Sequence, residues 1–441
     1  MPVEVDSFAS DAALPTEAKV VVIGGGIIGV STAYFLAERG IPTLLCEKGV
    51  IAGEQSGRNW GWCRTMGRDP RELALAIESL KLWRGIDARI DAETGFRQIG
   101  TLYICPDAAA YAKREAWLPY ARQHGLDSRM LRGDEVKAVL QGVAENWLGA
   151  LYTPSDGVAE PGKAGPALAE AARKRGARIM TGCAVRGIET AAGRVSAVVT
   201  EKGRIACEAA VLAGGSWTSL LCRQLGVRLP QLMVLASVLR TAQVSGGPAT
   251  AAWGPGLALR RRLDGGYTVS HGSVIADIVP DSFRFFSEFL PLLRMERKGI
   301  ELRLGKAFIE GWRQSRPWRL DGTSPFEQMR VLDPAPDGAA LAKARANLER
   351  TFPVFRGVPT AAHWGGLIDV TPDVLPVIST IEAVPGIVLS TGYSCHGFGL
   401  GLGAGQLTAD LVMGRSPLVD PTPFRFQRFT DGSELRPEAG L

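Results

Sequence analysis

The chain is poor in the residues that tie a fold together covalently or around a metal. Its seven cysteines, at 46, 63, 105, 183, 207, 222 and 395, form no C-x-x-C pair and are odd in number, and it has only four histidines. That argues against a disulfide framework and a zinc site, and no metal is expected. No apolar run is long enough to span a bilayer. The opening residues carry Glu4, Asp6 and Asp11 with no basic segment before an apolar core, unlike a signal peptide. A reducing, cytoplasmic setting is expected. Basic residues number 50 against 45 acidic, a net charge of +5, without a compact Lys/Arg run, so nucleic acid finds no obvious binding surface. No fixed-period repeat is visible. What remains is an ordinary globular composition, 46% hydrophobic and 22% charged over 441 residues, enough for two domains and a sizeable core.

Against these absences stands one rich stretch, "KVVVIGGGIIGVSTAYFLAERGIPTLLCEKG" at 19–49. A buried-strand run, Val20 to Ile23, leads into Gly24, Gly26 and Gly29 at G-x-G-x-x-G spacing, and Ile27 and Ile28 open a helical pattern to 39. Gly24 permits the tight turn, Gly26 lets backbone approach a pyrophosphate, and Gly29 lets the helix sit close to the strand. The diphosphate then meets the positive end of the helix. A second strand ends in Glu47, placed for an adenosine ribose and unfavourable to a 2′-phosphate, which disfavours NADP. This stretch alone leaves FAD and NAD open.

Beyond it, "GVIAGEQSGRNWGWCRTMGRDP" is a long irregular loop of the kind that lines sites, closed by Pro70 before a helix over 71–90. Strand pieces at 96–105 and helices over 107–141 begin a different domain. The nucleotide domain resumes near 154, with a helix over 161–175, strands over 177–188, 195–200 and 205–213, and a second glycine turn at "VLAGGSW". A mixed pattern follows from 231. The expected organisation is an α/β, Rossmann-like nucleotide-binding domain over 18–93, 154–230 and 361–441, interleaved with a mixed-sheet α+β substrate domain over 94–153 and 231–360.

The ordered motifs "GGGIIG", "CEKG", "LAGGSW", "TPDVLPVIS" and "GYSCHGFGLGLGAG" resemble the D-amino acid oxidase and sarcosine oxidase superfamily of FAD-dependent oxidoreductases, in particular its D-amino acid dehydrogenase-like bacterial members. The resemblance covers nearly the whole chain and implies FAD in a glutathione-reductase-type domain, interrupted twice by a substrate domain. On it, Gly24, Gly26, Ile27, Ile28, Gly29, Glu47 and Lys48 match the first cofactor segment, Val185 the residue whose backbone holds adenine, and Ala213, Gly214 and Trp217 the second glycine turn. Ser56, Gly57, Arg58 and Asn59 match the stretch touching the flavin ring. Gly397, Phe398, Gly399 and Leu400 lead into a helix over about 403–413, whose free amides would stabilise negative charge on the reduced ring. Relatives with a covalent flavin use a cysteine just before the TPD segment. Here Gly365, Gly366 and Leu367 stand there, with Gly366 taken as a cofactor contact, so noncovalent FAD is expected.

Oxidising an amine at a flavin needs a neutral amine, an aimed Cα–H and a fixed carboxylate. A planar guanidinium suits the last, and Arg58 and Arg64 are candidates. Arg64 falls where relatives keep a substrate-carboxylate arginine. Trp60 and Trp62 offer an apolar wall that would lower the amine's pKa. Tyr267 and His271, on "GGYTVSHG", resemble the strand facing the flavin, and His396 beside Gly397 is a further catalytic candidate. Thr268 stands where oxygen-using relatives often hold a lysine, which leaves oxygen, a quinone or a carrier protein as acceptor. The implied activity is oxidation of the C–N bond of a small amino or imino acid by hydride transfer to flavin N5, with hydrolysis of the imine. The alternatives are a flavoprotein subunit of a larger dehydrogenase complex and a noncatalytic nucleotide-binding protein. The basic, aromatic stretch 283–318 is expected to be a solvated helix with an ordinary apolar face, with contact to a membrane surface the less favoured reading.

Overall fold

The computed structural model describes residues 3–297 and 299–438. The fingerprint strand Val20–Ile23 lies between Thr43–Cys46 and Ala209–Leu212, parallel to both, and all twelve of these residues but Ala209 are buried. Such uninterrupted apolar runs belong to a sheet covered on both faces. Six strands complete it, in the order Val377–Thr380, Ile387–Thr391, Ala209–Leu212, Val20–Ile23, Thr43–Cys46 and Arg178–Met180, with an antiparallel pair only at the first edge. A three-stranded antiparallel meander, Val185–Ala191, Arg194–Thr200 and Gly203–Ala206, adjoins this sheet.

The helix Ile27–Glu38 is buried over nearly its whole circumference. It is enclosed by the helices Pro161–Lys174 and Gly397–Val412. Missing side chains make the second approach possible: a Cβ on Gly401 would lie 2.7 Å from Ile27 Cγ1, and one on Gly405 2.4 Å from Ser31 Cβ and 2.7 Å from its carbonyl carbon. In the same first turns of this helix, a Cβ on Gly29 would lie 1.9 Å from the Gly24 carbonyl oxygen, which is the close packing the glycine spacing implies.

The second large sheet runs Thr360–Val370, Leu232–Thr241, Tyr267–Asp277, Leu257–Arg261, Ala251–Gly254, Thr101–Cys105, Gly149–Thr153 and Arg129–Arg132, with Ile300–Arg303 paired to Tyr267–Asp277. Three differences from the sequence reading follow. Thr360–Val370 is paired along its length with Leu232–Thr241, so the chain leaves this sheet after Val370 and not at 361. The segment 107–141 contains the strand Arg129–Arg132 between its helices. The C-terminal helix begins at Gly397, six residues before 403, because its glycines are sites of close packing and not a flexible lead-in.

The stretch 283–318 folds as short helices around Ile300–Arg303. Phe285, Phe289 and Leu292 turn inward, whereas Phe283, Phe286, Leu302, Leu304, Ile309 and Trp312 are exposed. No helix among the described residues is long and apolar enough to cross a membrane.

Candidate active site

A cleft runs over the C-terminal ends of the parallel strands. One end is lined by Gly24, Gly26, Ile27, Ile28, Glu47, Lys48, Ser56 and Val185, and the cleft continues past Ala213, Gly214 and Trp217 to Thr391, Gly397 and Phe398. Gly24 has φ 113°, and a Cβ there would lie 2.4 Å from the Ala213 carbonyl oxygen, so only glycine fits the turn. A Cβ on Gly26 would fall 2.9 Å from Ser56 Oγ, filling the cradle beside the helix N-terminus. Glu47 lines the cleft, and its two carboxylate oxygens accept the Gly25 and Gly49 N–H groups at 2.6 and 2.7 Å. Burial pushes its carboxyl above the usual range, against those two bonds. Lys48 Nζ donates to Glu54 and to the Met329 carbonyl and sits 4.4 Å from the Trp217 ring centroid. An elongated cleft that begins at a glycine turn and a helix N-terminus fits the shape and charge of FAD.

Gln55, Asn59, Ile368, Cys395 and Phe398 line both this cleft and a larger cavity of about 650 Å³. At that junction the backbone is unusual: Ser394 and Cys395 have φ of 47° and 72°, left-handed values in two successive non-glycine residues. Gln55 Oε1 is buried without a partner among the described residues, an acceptor directed at the place where the two spaces meet. Cys395 lies on this wall and is exposed.

The cavity wall is built by the loop between Gln55 and Asp69. Asp156, fully buried, pins it by accepting from Thr65 N and Oγ1, Met66 N and Thr101 Oγ1 at 2.6–3.2 Å. The loop thereby presents Arg64, half-buried, its Nη1 donating to the Met66 carbonyl and its guanidinium 5.4 Å from the Tyr103 ring centroid. Arg58 is buried, but it is committed to Asp333 at 2.5 Å and to the Gly365 carbonyl at 3.0 Å. Arg68 is 3% exposed, and its Nη1 finds no hydrogen bond among the described residues, with Glu72 at 3.9 Å. Burial, then Arg64, pull the Arg68 guanidinium down to about 10. Trp60, Trp62, Tyr103, Trp117 and Trp253 supply an aromatic wall, with edge-on contacts from Trp253 to Trp60 and Tyr103. His396 faces the same cavity, its Nδ1 2.9 Å from Glu72. Gly366 lies on the cavity side of the junction.

Several sequence expectations need correction. Tyr267 is fully buried in the core beneath the large sheet, donates to the Pro248 carbonyl and packs edge-on against Phe355, away from the cavity. His271 points to the same side, bonded to Ser273 Oγ and close to Gly256. Alternation over the first part of the strand accounts for both: Ser270 and Gly272 line the cavity, so Tyr267 and His271 face away, whereas Ser273 and Val274, where the pairing with Leu232–Thr241 is irregular, both line it. Thr268 shares the face of Ser270 but lies outside the cavity wall. Gly57 packs against the Ala52 carbonyl and Val5, not the cleft. Gly399 is turned toward Trp62, with its carbonyl accepting from Ser79 and Trp83. Leu400 is a core side chain whose N–H is spent on the His396 carbonyl. The sequence reading missed Gln55, Arg68, Glu72 and Asp156. Gln55 adjoins the selected loop residues and Arg68 repeats Arg64 four residues on, whereas Glu72 and Asp156 look like ordinary surface acids until their distant partners are known.

Residues 19–411 match the sequence profile of the family described as FAD dependent oxidoreductase, DAO. Among solved structures, the chain is similar to the L-amino acid deaminase of Proteus myxofaciens in complex with anthranilate, with 36% identity, 97% of each chain covered and a TM-score of 0.94. Among curated proteins, it is 26% identical over 426 residues to the 4-methylaminobutanoate oxidase (formaldehyde-forming) of Paenarthrobacter nicotinovorans, covering 95% of this chain but spanning about half, 46%, of that relative's length. It is also 25% identical to the glycine oxidase of Pseudomonas aeruginosa, covering 92% of this chain and 98% of that one.

Proposed function

The chain belongs to the FAD dependent oxidoreductase family, and on that premise we propose that it oxidises the C–N bond of an amino or imino acid to an imine that water hydrolyses to an oxo acid. The observation that carries this reading is Arg64 on the wall of a cavity that opens onto the cofactor cleft. FAD, when bound, supplies the two-electron oxidising capacity. The chain's own residues bind and orient the substrate. Arg64 is anchored by the Met66 carbonyl through one nitrogen, and its remaining N–H groups serve a substrate carboxylate bidentately. Asp156 holds the loop, so the guanidinium is preorganised before substrate enters.

The aromatic wall does two things. It removes water from the amine, which favours the neutral form that can be oxidised. It also offers a large apolar surface to a side chain, more than glycine or sarcosine could cover. The solved relative that holds anthranilate, an aromatic amino carboxylate, is in keeping with such a substrate. As to the acceptor, the strand Tyr267–Asp277 has no lysine at any position, which favours a quinone or carrier over oxygen.

The test is an assay of the holoenzyme with a quinone or dye acceptor and a panel of amino acids of both configurations, measuring oxo acid and ammonia. Aromatic or large apolar amino acids are expected to exceed glycine by at least about tenfold in kcat/KM, a difference of ~1.4 kcal/mol. Failure of every amino acid to yield an oxo acid would overturn the proposal.

A further inference from the structure

Glu72 and His396 are 324 residues apart in sequence and in contact in the fold. Glu72 stands in the first turn of the helix Pro70–Ile90, fully buried, where the positive end of the helix favours its negative charge. His396 is the residue before the helix Gly397–Val412. A carboxylate can only accept, so the proton of the Nδ1–Glu72 contact belongs to the imidazole. Nε2 is then a bare acceptor. It has no hydrogen-bond partner among the described residues, and His396 lines the substrate cavity.

The surroundings keep this imidazole neutral. Arg64 and Arg68 face it from the loop before Glu72, and it is itself at a helix N-terminus; all three disfavour a second positive charge. Burial first, then Arg68, pull His396 down to about 4, although Glu72 acts the other way. Burial raises the Glu72 carboxyl, but the hydrogen bond from neutral His396 and the charges of Arg68 and Arg64 favour its ionised form and leave it below the ordinary range.

We propose that Glu72 is a positioning residue that fixes His396 in the Nδ1–H tautomer, so that neutral Nε2 accepts an N–H of the substrate amine. This rests on the amino-acid reading above and deepens it. The cavity wall carries the donors Arg58, Arg64, Arg68, Lys113 and Arg114, and the carboxylates Glu296 and Glu438 also line it. An amine N–H needs an acceptor, and the type of acceptor matters. A carboxylate in contact would stabilise the ammonium form and hold the substrate unreactive, whereas a neutral imidazole orients the amine with much less preference for its charged form. No proton is transferred to His396 in this role; the imidazole directs the lone pair and the Cα–H by holding the N–H.

The tautomer is measurable without substrate, by nitrogen-15 spectra of the holoenzyme labelled in its four histidines, with His396 assigned by its loss in His396→Asn. The expected signal at pH 7 is a neutral ring with the proton on Nδ1. An imidazolium, or a proton on Nε2, would overturn the proposal. In Glu72→Gln the expected result is a mixed or reversed tautomer and a flavin reduction rate at saturating substrate lowered by about tenfold or more, with flavin content retained. Unchanged reduction with an altered tautomer would overturn the role. If that variant loses its flavin, the wild-type spectrum and the reduction rate of His396→Asn still decide. A wild-type flavin that no amino acid reduces would instead overturn the underlying reading, with the spectrum showing whether the tautomer itself was correctly assigned.

Discussion

Arg64 and Arg68 stand one helical turn apart in number, yet the structure gives them different tasks. Arg64 is half-buried on the cavity wall with one guanidinium nitrogen on the Met66 carbonyl, and Arg68, nearly fully buried on the same wall, lies 3.9 Å from Glu72. Arg64→Met is therefore expected to lower the specificity constant by tens- to thousands-fold, equivalent to about 2–5 kcal/mol for a charge-paired contact in a desolvated site, with flavin content near normal. Arg64→Lys should recover only part of this, since an ammonium brings charge without the fork. Reduction rate against substrate concentration, with the flavin absorbance ratio alongside, separates the outcomes: loss of flavin would move Arg64 to the cofactor's side. The place of Arg64 on a cavity wall was legible because the loop around it is irregular, aromatic and follows a nucleotide strand. Glu72 and Asp156 were not, because each is defined by a partner far away in sequence, His396 in one case and Thr65 and Met66 in the other.

Two glycine-bearing elements hold the cofactor cleft in shape. In the first, Gly26 precedes the helix Ile27–Glu38, and Gly26→Val would fill the space between the helix end and Ser56. The expected product is largely apoprotein, read from absorbance after purification; a full complement of FAD would show that the pyrophosphate does not pass Gly26. In the second, Gly405 meets Ser31 backbone, which cannot step aside. Gly405→Leu should cost about 3 kcal/mol in denaturant unfolding, at the upper end of overpacking, whereas Gly414→Ala, at a turn with no atom within 4 Å, is limited to the strain of its φ of 60°. The sequence indicated the first of these elements well, because strand, turn, helix and acid recur at fixed spacing. At the second it placed the helix start near 403, six residues late, because the partners that require glycine at 399 and 401, the Trp62 carbonyl and Ile27, are distant in sequence.

At the scale of the whole molecule, two sheets assembled from distant segments meet over one junction. That the chain builds more than one sheet was readable from the return of apolar runs and glycine turns. The assignment of Thr360–Val370 was not, since its pairing with Leu232–Thr241 leaves no local mark. The buried junction also links stability to pH through His396. Its folded value, about 4, lies below the ~6.5 of an unfolded histidine, so in that window the unfolded chain binds the extra proton and stability rises with pH. The contribution is complete above ~6.5 and is lost as pH falls toward 4. Between pH 7 and 4.5, wild type is expected to lose about 2–3 kcal/mol more than His396→Asn in denaturant unfolding, and equal losses would place a charged or exposed imidazole there. The amino-acid chemistry itself is tested most directly by anaerobic titration of the holoenzyme, following the absorbance of oxidised flavin. The expected result is bleaching by an aromatic or large apolar amino acid, with one oxo acid formed per flavin reduced, and with much slower bleaching in Arg64→Met. A flavin that dithionite reduces but no amino or imino acid does would contradict the assignment.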